Sequence, residues 1–163
     1  MFSYQVMNEQ EAMQERFQLL KEGEYDAVIT ASQDTHSSTG NPMMDMTVTV
    51  FDENGRKQDI RDFLVFTPKM MWKIIHFADS AGILKEYEEQ KLCSQVAIDN
   101  RVRVKIKIEE GKLIPVEKLD GKPMGSKYPD KNKVEDYVKR EDWKPLGHAP
   151  NAMKFEDDDV PFL

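Results

Sequence analysis

The sequence contains one cysteine, three histidines and no long apolar run among its 163 residues. A single thiol, at Cys93, excludes an internal disulfide framework and a zinc cage built from cysteines. No apolar run approaches the about 18 residues that a membrane helix needs. The first ten residues lack the basic cluster and apolar stretch of a signal peptide. We therefore expect a soluble protein of about one domain in a reducing compartment.

The residues that usually carry catalysis or metal binding do not form a recognisable motif. His36, His76 and His148 are far apart and have no partners at metal-ligand spacing. Cys93 has no evident base, which is typical of an inert thiol. The segment 121–127 resembles a phosphate-binding loop but has three residues between its glycines, where that loop has four. We expect no enzyme activity, no cofactor and no bound metal.

The charge of the chain is unevenly distributed. The net charge is −7, yet residues 101–140 hold 12 Lys and Arg against 7 Asp and Glu, a local net charge of +5. Phosphate contacts need such local Lys and Arg residues, so the basic block keeps nucleic-acid binding open. The alternative is a solvated surface in which both signs are mixed.

Hydrophobic periodicity predicts a small mixed domain. Met44, Met46, Val48 and Val50 alternate with polar residues, and Asn54-Gly55 is a strong hairpin signal. The predicted strands are 25–34, 43–51, 57–66, 101–109, 113–119 and 133–138. The predicted helices are 8–22, a helix from Thr67 to Gly82 with a stripe of Met71, Ile74, Ile75 and Ala78, and a short one at 84–92. In strand 57–66, Asp62 falls on the apolar side.

The order of these elements favours a mainly β fold with flanking helices. Three strands, a helix and two further strands match the five-stranded barrel called the OB-fold, although other small α+β folds share this order. We expect one domain over residues 1–140, and a flexible linker with an acidic tail over residues 141–163. Helix 8–22 is a candidate for self-association or for packing over the end of the barrel.

Binding to a single strand of nucleic acid needs cations for phosphates and flat rings for bases. We interpret the outward face of strand 101–109, the following loop and the outward faces of strands two and three as such a surface. Its candidate residues are Phe51, Arg61, Phe63, Arg101, Arg103, Lys105, Lys107, Lys112, Lys122, Lys127, Tyr128 and Lys131. Alternatively, the two phenylalanines cover the barrel or a dimer contact, and the basic strand pairs with acidic neighbours.

The C-terminal tip combines a run of acids with apolar residues, which fits a peptide that fills a pocket while its acids meet a basic rim. Its residues are Asp157, Asp158, Asp159, Val160, Pro161, Phe162 and Leu163. The tip closely resembles the Asp-Asp-Asp-Ile-Pro-Phe ending of bacterial single-stranded-DNA-binding proteins, which recruits replication, recombination and repair proteins. The extra Leu163 departs from that ending, because it moves the terminal carboxylate one residue further on.

The body is similar to a phage family of single-stranded-DNA-binding proteins. The similar stretches are 23–25, 38–42, 72–82 and 128–132, with Val134 and Tyr137. The resemblance implies an OB-fold, non-sequence-specific binding of single-stranded DNA, no cofactor, and a role in phage DNA replication or recombination in the cytoplasm and nucleoid of a bacterial host. The alternative function is an OB-like adaptor, or an inhibitor of a replication or recombination enzyme, that does not itself bind DNA.

Overall fold

The structure is a computed structural model that describes residues 2–16 and 19–145. The predicted partner-binding tip, residues 157–163, lies outside the described residues. The strands are β1 (Gly23–His36), β2 (Pro42–Phe51), β3 (Lys57–Val65), β4 (Arg101–Glu109) and β5 (Lys131–Tyr137). The helices are α1 (Glu9–Arg16), α2 (Met71–Ser80), α3 (Leu84–Glu88) and α4 (Ser94–Ala97), with 3₁₀ turns at Pro68–Met70, Val116–Lys118 and Arg140–Asp142. None of the described helices is long and apolar enough to cross a membrane.

The five strands form one antiparallel sheet in the order β3-β2-β1-β4-β5. The chain is therefore mainly β with a few short helices, as the sequence predicts. Among the described residues no backbone ladder joins the two edge strands β3 and β5, so the sheet is open. Helix α2 lies near both edges and contributes Ile74, Phe77 and Ala78 to the core.

The β2–β3 hairpin forms where the sequence predicts it. Met44, Met46, Val48 and Val50 are buried, as their alternation indicates. Gly55 adopts a φ of 79°, a left-handed conformation that favours glycine. The Asp52 carboxylate accepts hydrogen bonds from the backbone N–H groups of Asn54 and Arg56, each at 2.8 Å. This turn fixes the register that places β2 and β3 residues opposite each other.

The off-pattern Asp62 belongs to a buried network that bridges the two edge strands. Its carboxylate accepts a hydrogen bond of 3.0 Å from Lys73 Nζ on α2 and one of 2.6 Å from the Tyr137 hydroxyl on β5. Lys73 Nζ also donates to the Val134 carbonyl at 2.8 Å. Burial and the neighbouring Asp62 carboxylate raise the pKa of the Tyr137 hydroxyl well above its ordinary value. The polar residue in the apolar stripe therefore has a structural partner on each side.

Helix α1 is shorter than predicted. It begins with the expected Asn8–Glu11 interaction, in which the Glu11 backbone N–H donates to Asn8 Oδ1 at 2.8 Å. It ends at Arg16, before the predicted limit of residue 22. Leu20 is buried outside the helix, where its backbone N–H and carbonyl both bond to the Asn132 side-chain amide, at 2.8 and 2.9 Å. The apolar period through Leu20 therefore reports tertiary docking on β5 and not helix length.

Three other predictions of local structure are wrong in part. In α2 the buried face is turned toward Lys73, Ile74, Phe77 and Ala78, while the predicted Met71 and Ile75 are only half-buried. The predicted strand 113–119 is replaced by a single bridge between Leu113 and Lys127 and a 3₁₀ turn, because β5 occupies the free edge of β4. The predicted helix 84–92 ends at Glu88, and the further helix α4 follows.

Candidate nucleic-acid interface

The outward face of the β2–β3 hairpin carries the predicted aromatic residues. The register places Phe51 opposite Lys57, Thr47 opposite Arg61 and Asp45 opposite Phe63. Phe63 is 45% exposed, which is unusual for a large apolar ring, and Phe51 is half-buried. The predicted grouping of Phe51, Arg61 and Phe63 on one solvent-facing surface is confirmed.

Each of the two rings has a cation over it. Arg61 Cζ lies 5.2 Å from the centroid of the Phe63 ring, and Lys57 Nζ lies 5.8 Å from that of Phe51. These distances are within the range of cation–π attraction. Arg61 also forms an ion pair with Asp45, which holds its guanidinium in place beside the ring. We call Phe51, Lys57, Arg61 and Phe63 the hairpin face.

The middle of this surface is polar and balanced in charge. The Thr49 hydroxyl donates to Asp59 Oδ1 at 2.7 Å and lies 2.8 Å from the Thr30 hydroxyl of β1. The carboxylates of Asp45 and Asp59 offset the two cations of the hairpin face. Attraction of a polyanion to this surface therefore depends on cations outside it.

Arg103 does not lie on an open basic face, and that expectation is wrong. Its side chain is 6% exposed, and its Nε and Nη2 atoms donate to Asp26 Oδ1 on β1 at 3.0 and 2.8 Å. The register pairs Asp26 directly with Arg103, so the two charges meet across the β1–β4 ladder. A guanidinium that is buried and paired in this way stabilises the fold and does not reach a phosphate.

The outer side of Arg103 is covered by the chain segment that follows β5. Trp143 presents its indole to three guanidinium groups, with Cζ-to-centroid distances of 4.4 Å for Arg140, 4.9 Å for Arg103 and 5.5 Å for Arg101. The indole N–H donates to the Val138 carbonyl at 2.9 Å. Burial and the nearby Arg101 lower the pKa of Arg140. We call this cluster the tryptophan clasp.

The clasp was missed by sequence reasoning, which assigned residues 141 onward to a linker. The first residues of that segment instead pack on β4, and Arg103 donates a hydrogen bond to the Lys144 carbonyl. One signal was available in the sequence, since Trp143 is one of only two tryptophans in the chain. Arg101, half-buried beneath the indole, is consequently not an open cation either.

The predicted lysines divide into paired and unpaired groups. Lys107, Lys127 and Lys131 form ion pairs of 3.0–3.5 Å with Glu135, Glu110 and Glu109. A side-chain hydrogen bond from Lys133 is the main reason why the pKa of Glu109 is lowered. Exposed pairs of this kind contribute little to stability, and a phosphate can compete for their lysines. Lys105, Lys112 and Lys122 are exposed and have no ion-pair partner among the described residues.

The loop between β4 and β5 is ordered and is less basic than expected. Within residues 110–130 four lysines are matched by four acids. The Tyr128 backbone N–H donates to the Lys112 carbonyl at 2.8 Å, and that of Ile114 to the Ser126 carbonyl at 2.9 Å. Several apolar side chains of the loop are 44–79% exposed, namely Leu113, Val116, Met124 and Tyr128. The loop therefore offers apolar contact area as well as cations.

The chain belongs to a family of proteins of unknown function, DUF669, whose model matches residues 6–113. No curated protein matches the chain. The matched segment contains the four strands β1 to β4, and with them the whole hairpin face. It ends before β5 and before the tryptophan clasp.

Proposed function

We propose that this protein binds single-stranded DNA without sequence preference, as part of phage DNA replication or recombination. The observation that carries the proposal is the hairpin face, where the exposed Phe63 ring lies beneath Arg61 and the Phe51 ring beneath Lys57. Rings of this kind stack on bases of any sequence, while adjacent cations meet the phosphates. Neither part of this surface requires a cofactor or performs a covalent step.

The strand order supports an OB-type barrel as the scaffold of this site. Side chains draw the edge strands together, through the 2.6 Å bond from Tyr137 to Asp62 and the 3.1 Å bond from Gln58 to Asn132. In OB-folds the β2–β3 face, with the loops after strands one and four, binds oligonucleotides. Here those loops are residues 37–41, which are rich in hydroxyl groups, and residues 110–130.

The charge balance of the hairpin face shapes the expected binding. Because Asp45 and Asp59 offset its cations, phosphate attraction depends on unpaired lysines beyond it, such as Lys105, Lys112 and Lys122. We therefore expect stacking to supply most of the affinity, with a modest salt dependence. A duplex hides its base faces and should bind weakly. The acidic tip of residues 157–163 would recruit partner proteins, as its resemblance implies.

The second candidate is an OB-like protein adaptor without DNA binding of its own. The observation that favours it is the cluster of exposed apolar side chains on the loop 110–130, because such patches often mark protein contacts. In that case the paired lysines of β4 and β5 would form only a solvated surface.

A titration with a labelled oligo-dT of about 30 nucleotides separates the two candidates, since one OB-fold covers roughly 4–16 nucleotides. Fluorescence anisotropy would be followed at low and moderate salt, with unlabelled duplex as competitor. Saturable binding that duplex does not displace supports single-strand binding. Equal displacement by duplex indicates a generic basic patch, and no binding at low salt leaves the adaptor.

A further inference from the structure

The segment before α1 exposes apolar side chains at alternate positions. Phe2, Tyr4 and Val6 are 85%, 75% and 82% exposed. Alternation with period two is typical of a strand that buries one side, yet residues 2–7 have no strand partner. No charged residue occurs between positions 2 and 8. We call residues 2–7 the N-terminal arm.

An apolar groove lies at one end of the sheet. Two adjoining cavities of about 280 and 390 Å³ share Phe66 and Leu92 as walls. Met43 extends the first cavity, and Met71 and Tyr87 line the second. These walls are only partly buried against the core, so apolar surface remains accessible in the groove. We call it the end groove.

The arm and the end groove belong to opposite ends of the sheet. The chain leading from the arm joins the folded body at Leu20, which bonds to Asn132 near the start of β5. Asn132 in turn accepts from Gln58 near the start of β3. The end groove lies beyond the other end of β3, next to the start of β2. Nine strand residues separate these ends by roughly 30 Å.

We propose that the N-terminal arm of one copy docks in the end groove of a second copy. In an extended arm, alternate side chains project from the same side about 7 Å apart, so Phe2 and Tyr4 can enter the two adjoining cavities. The uncharged arm brings no unpaired charge into an apolar groove. The chemistry of the occupant therefore matches that of its site.

The geometry predicts head-to-tail assembly. The arm and the groove are different surfaces, so each contact is heterologous and leaves one arm and one groove free for further copies. Association should therefore produce linear chains and not closed dimers. This inference does not depend on DNA binding, and it is tested without DNA.

The test is sedimentation velocity of the full chain over a wide range of protein concentrations. The wild type should show an average mass that rises continuously with concentration. The arm variant Phe2→Ser/Tyr4→Ser and the groove variant Leu92→Glu should each remain monomeric. Their equimolar mixture should form dimers that grow no further, because only one functional arm–groove pair can form. Val116→Ser, which removes a different exposed apolar side chain, should assemble like the wild type.

Thermal unfolding by circular dichroism verifies that the variants are folded. If Leu92→Glu does not fold, Tyr87→Ser replaces it as the groove variant. A wild-type mass that does not change with concentration would overturn the proposal. So would an arm variant that assembles like the wild type, or a mixture of folded variants without dimers.

Discussion

Replacing Lys73 with methionine should destabilise the protein by about 3–5 kcal/mol, the usual cost of removing one partner of a buried ion pair. Lys73 and Asp62 have side chains only 8% and 9% exposed, with 3.0 Å between Nζ and Oδ1. The variant leaves the Asp62 carboxylate buried with Tyr137 as its remaining hydrogen-bond donor. It also removes the donor to the Val134 carbonyl.

Two companion variants give this magnitude its meaning. Tyr137→Phe removes only the hydroxyl that donates to the same carboxylate, and should cost about 1.5–3 kcal/mol, as for hydrogen bonds to charged groups. The double variant Asp62→Leu/Lys73→Met removes both buried charges together. It should be more stable than Lys73→Met alone, because an apolar replacement avoids the uncompensated charge.

Urea denaturation followed by circular dichroism measures these differences, provided that the slope of the transition is unchanged. The matched control is Lys107→Met, since Lys107 forms an exposed pair with Glu135 and should lose less than about 1 kcal/mol. If Lys73→Met costs no more than this control, the buried network does not hold the edge strands together and the reasoning fails.

Three further predictions concern other sites in the fold. The raised pKa of Tyr137 means that the unfolded chain loses this proton first, so stability should fall above about pH 10 by up to roughly 1.4 kcal/mol per pH unit; Tyr137→Phe should flatten that slope in urea titrations, and an unchanged slope contradicts the assignment. Arg103→Met should cost about 3–5 kcal/mol because it strands Asp26, and a loss below about 1 kcal/mol in thermal melts would refute this. A Cβ on Gly111 would lie 1.6 Å from the Tyr128 carbonyl oxygen, so Gly111→Ala should make the 110–130 loop faster to cleave with trypsin, whereas wild-type cleavage rates would count against the close approach.

Much of the sheet could be predicted because its information is local. The alternation in β2 and β4 fixes which residues face the core, and Asn54-Gly55 fixes the turn between β2 and β3. These signals depend on neighbours within a few residues. Even the exception at Asp62 was visible as an off-pattern residue, although its partners on α2 and β5 were not.

The candidate site was less predictable because charge pairing acts over long sequence separations. Arg103 has the alternation of an outward residue, yet Asp26 lies 77 positions earlier and turns it into a buried pair. Trp143 lies in a segment whose composition is typical of a linker, and its three arginine neighbours come from two parts of the chain. Alternation indicates a face of the sheet but does not reveal what covers that face.

The most direct test of the central claim compares the hairpin face with a matched surface. Phe51→Ala/Phe63→Ala removes both of its rings, and Leu113→Ala/Met124→Ala removes two exposed apolar side chains of the 110–130 loop. Anisotropy titrations of oligo-dT would be performed with both folded variants. Stacking worth roughly 1–3 kcal/mol per base predicts that the first variant loses about 30-fold or more in affinity. We expect the second variant to lose far less. Equal affinities for the wild type and Phe51→Ala/Phe63→Ala would contradict DNA binding through the hairpin face.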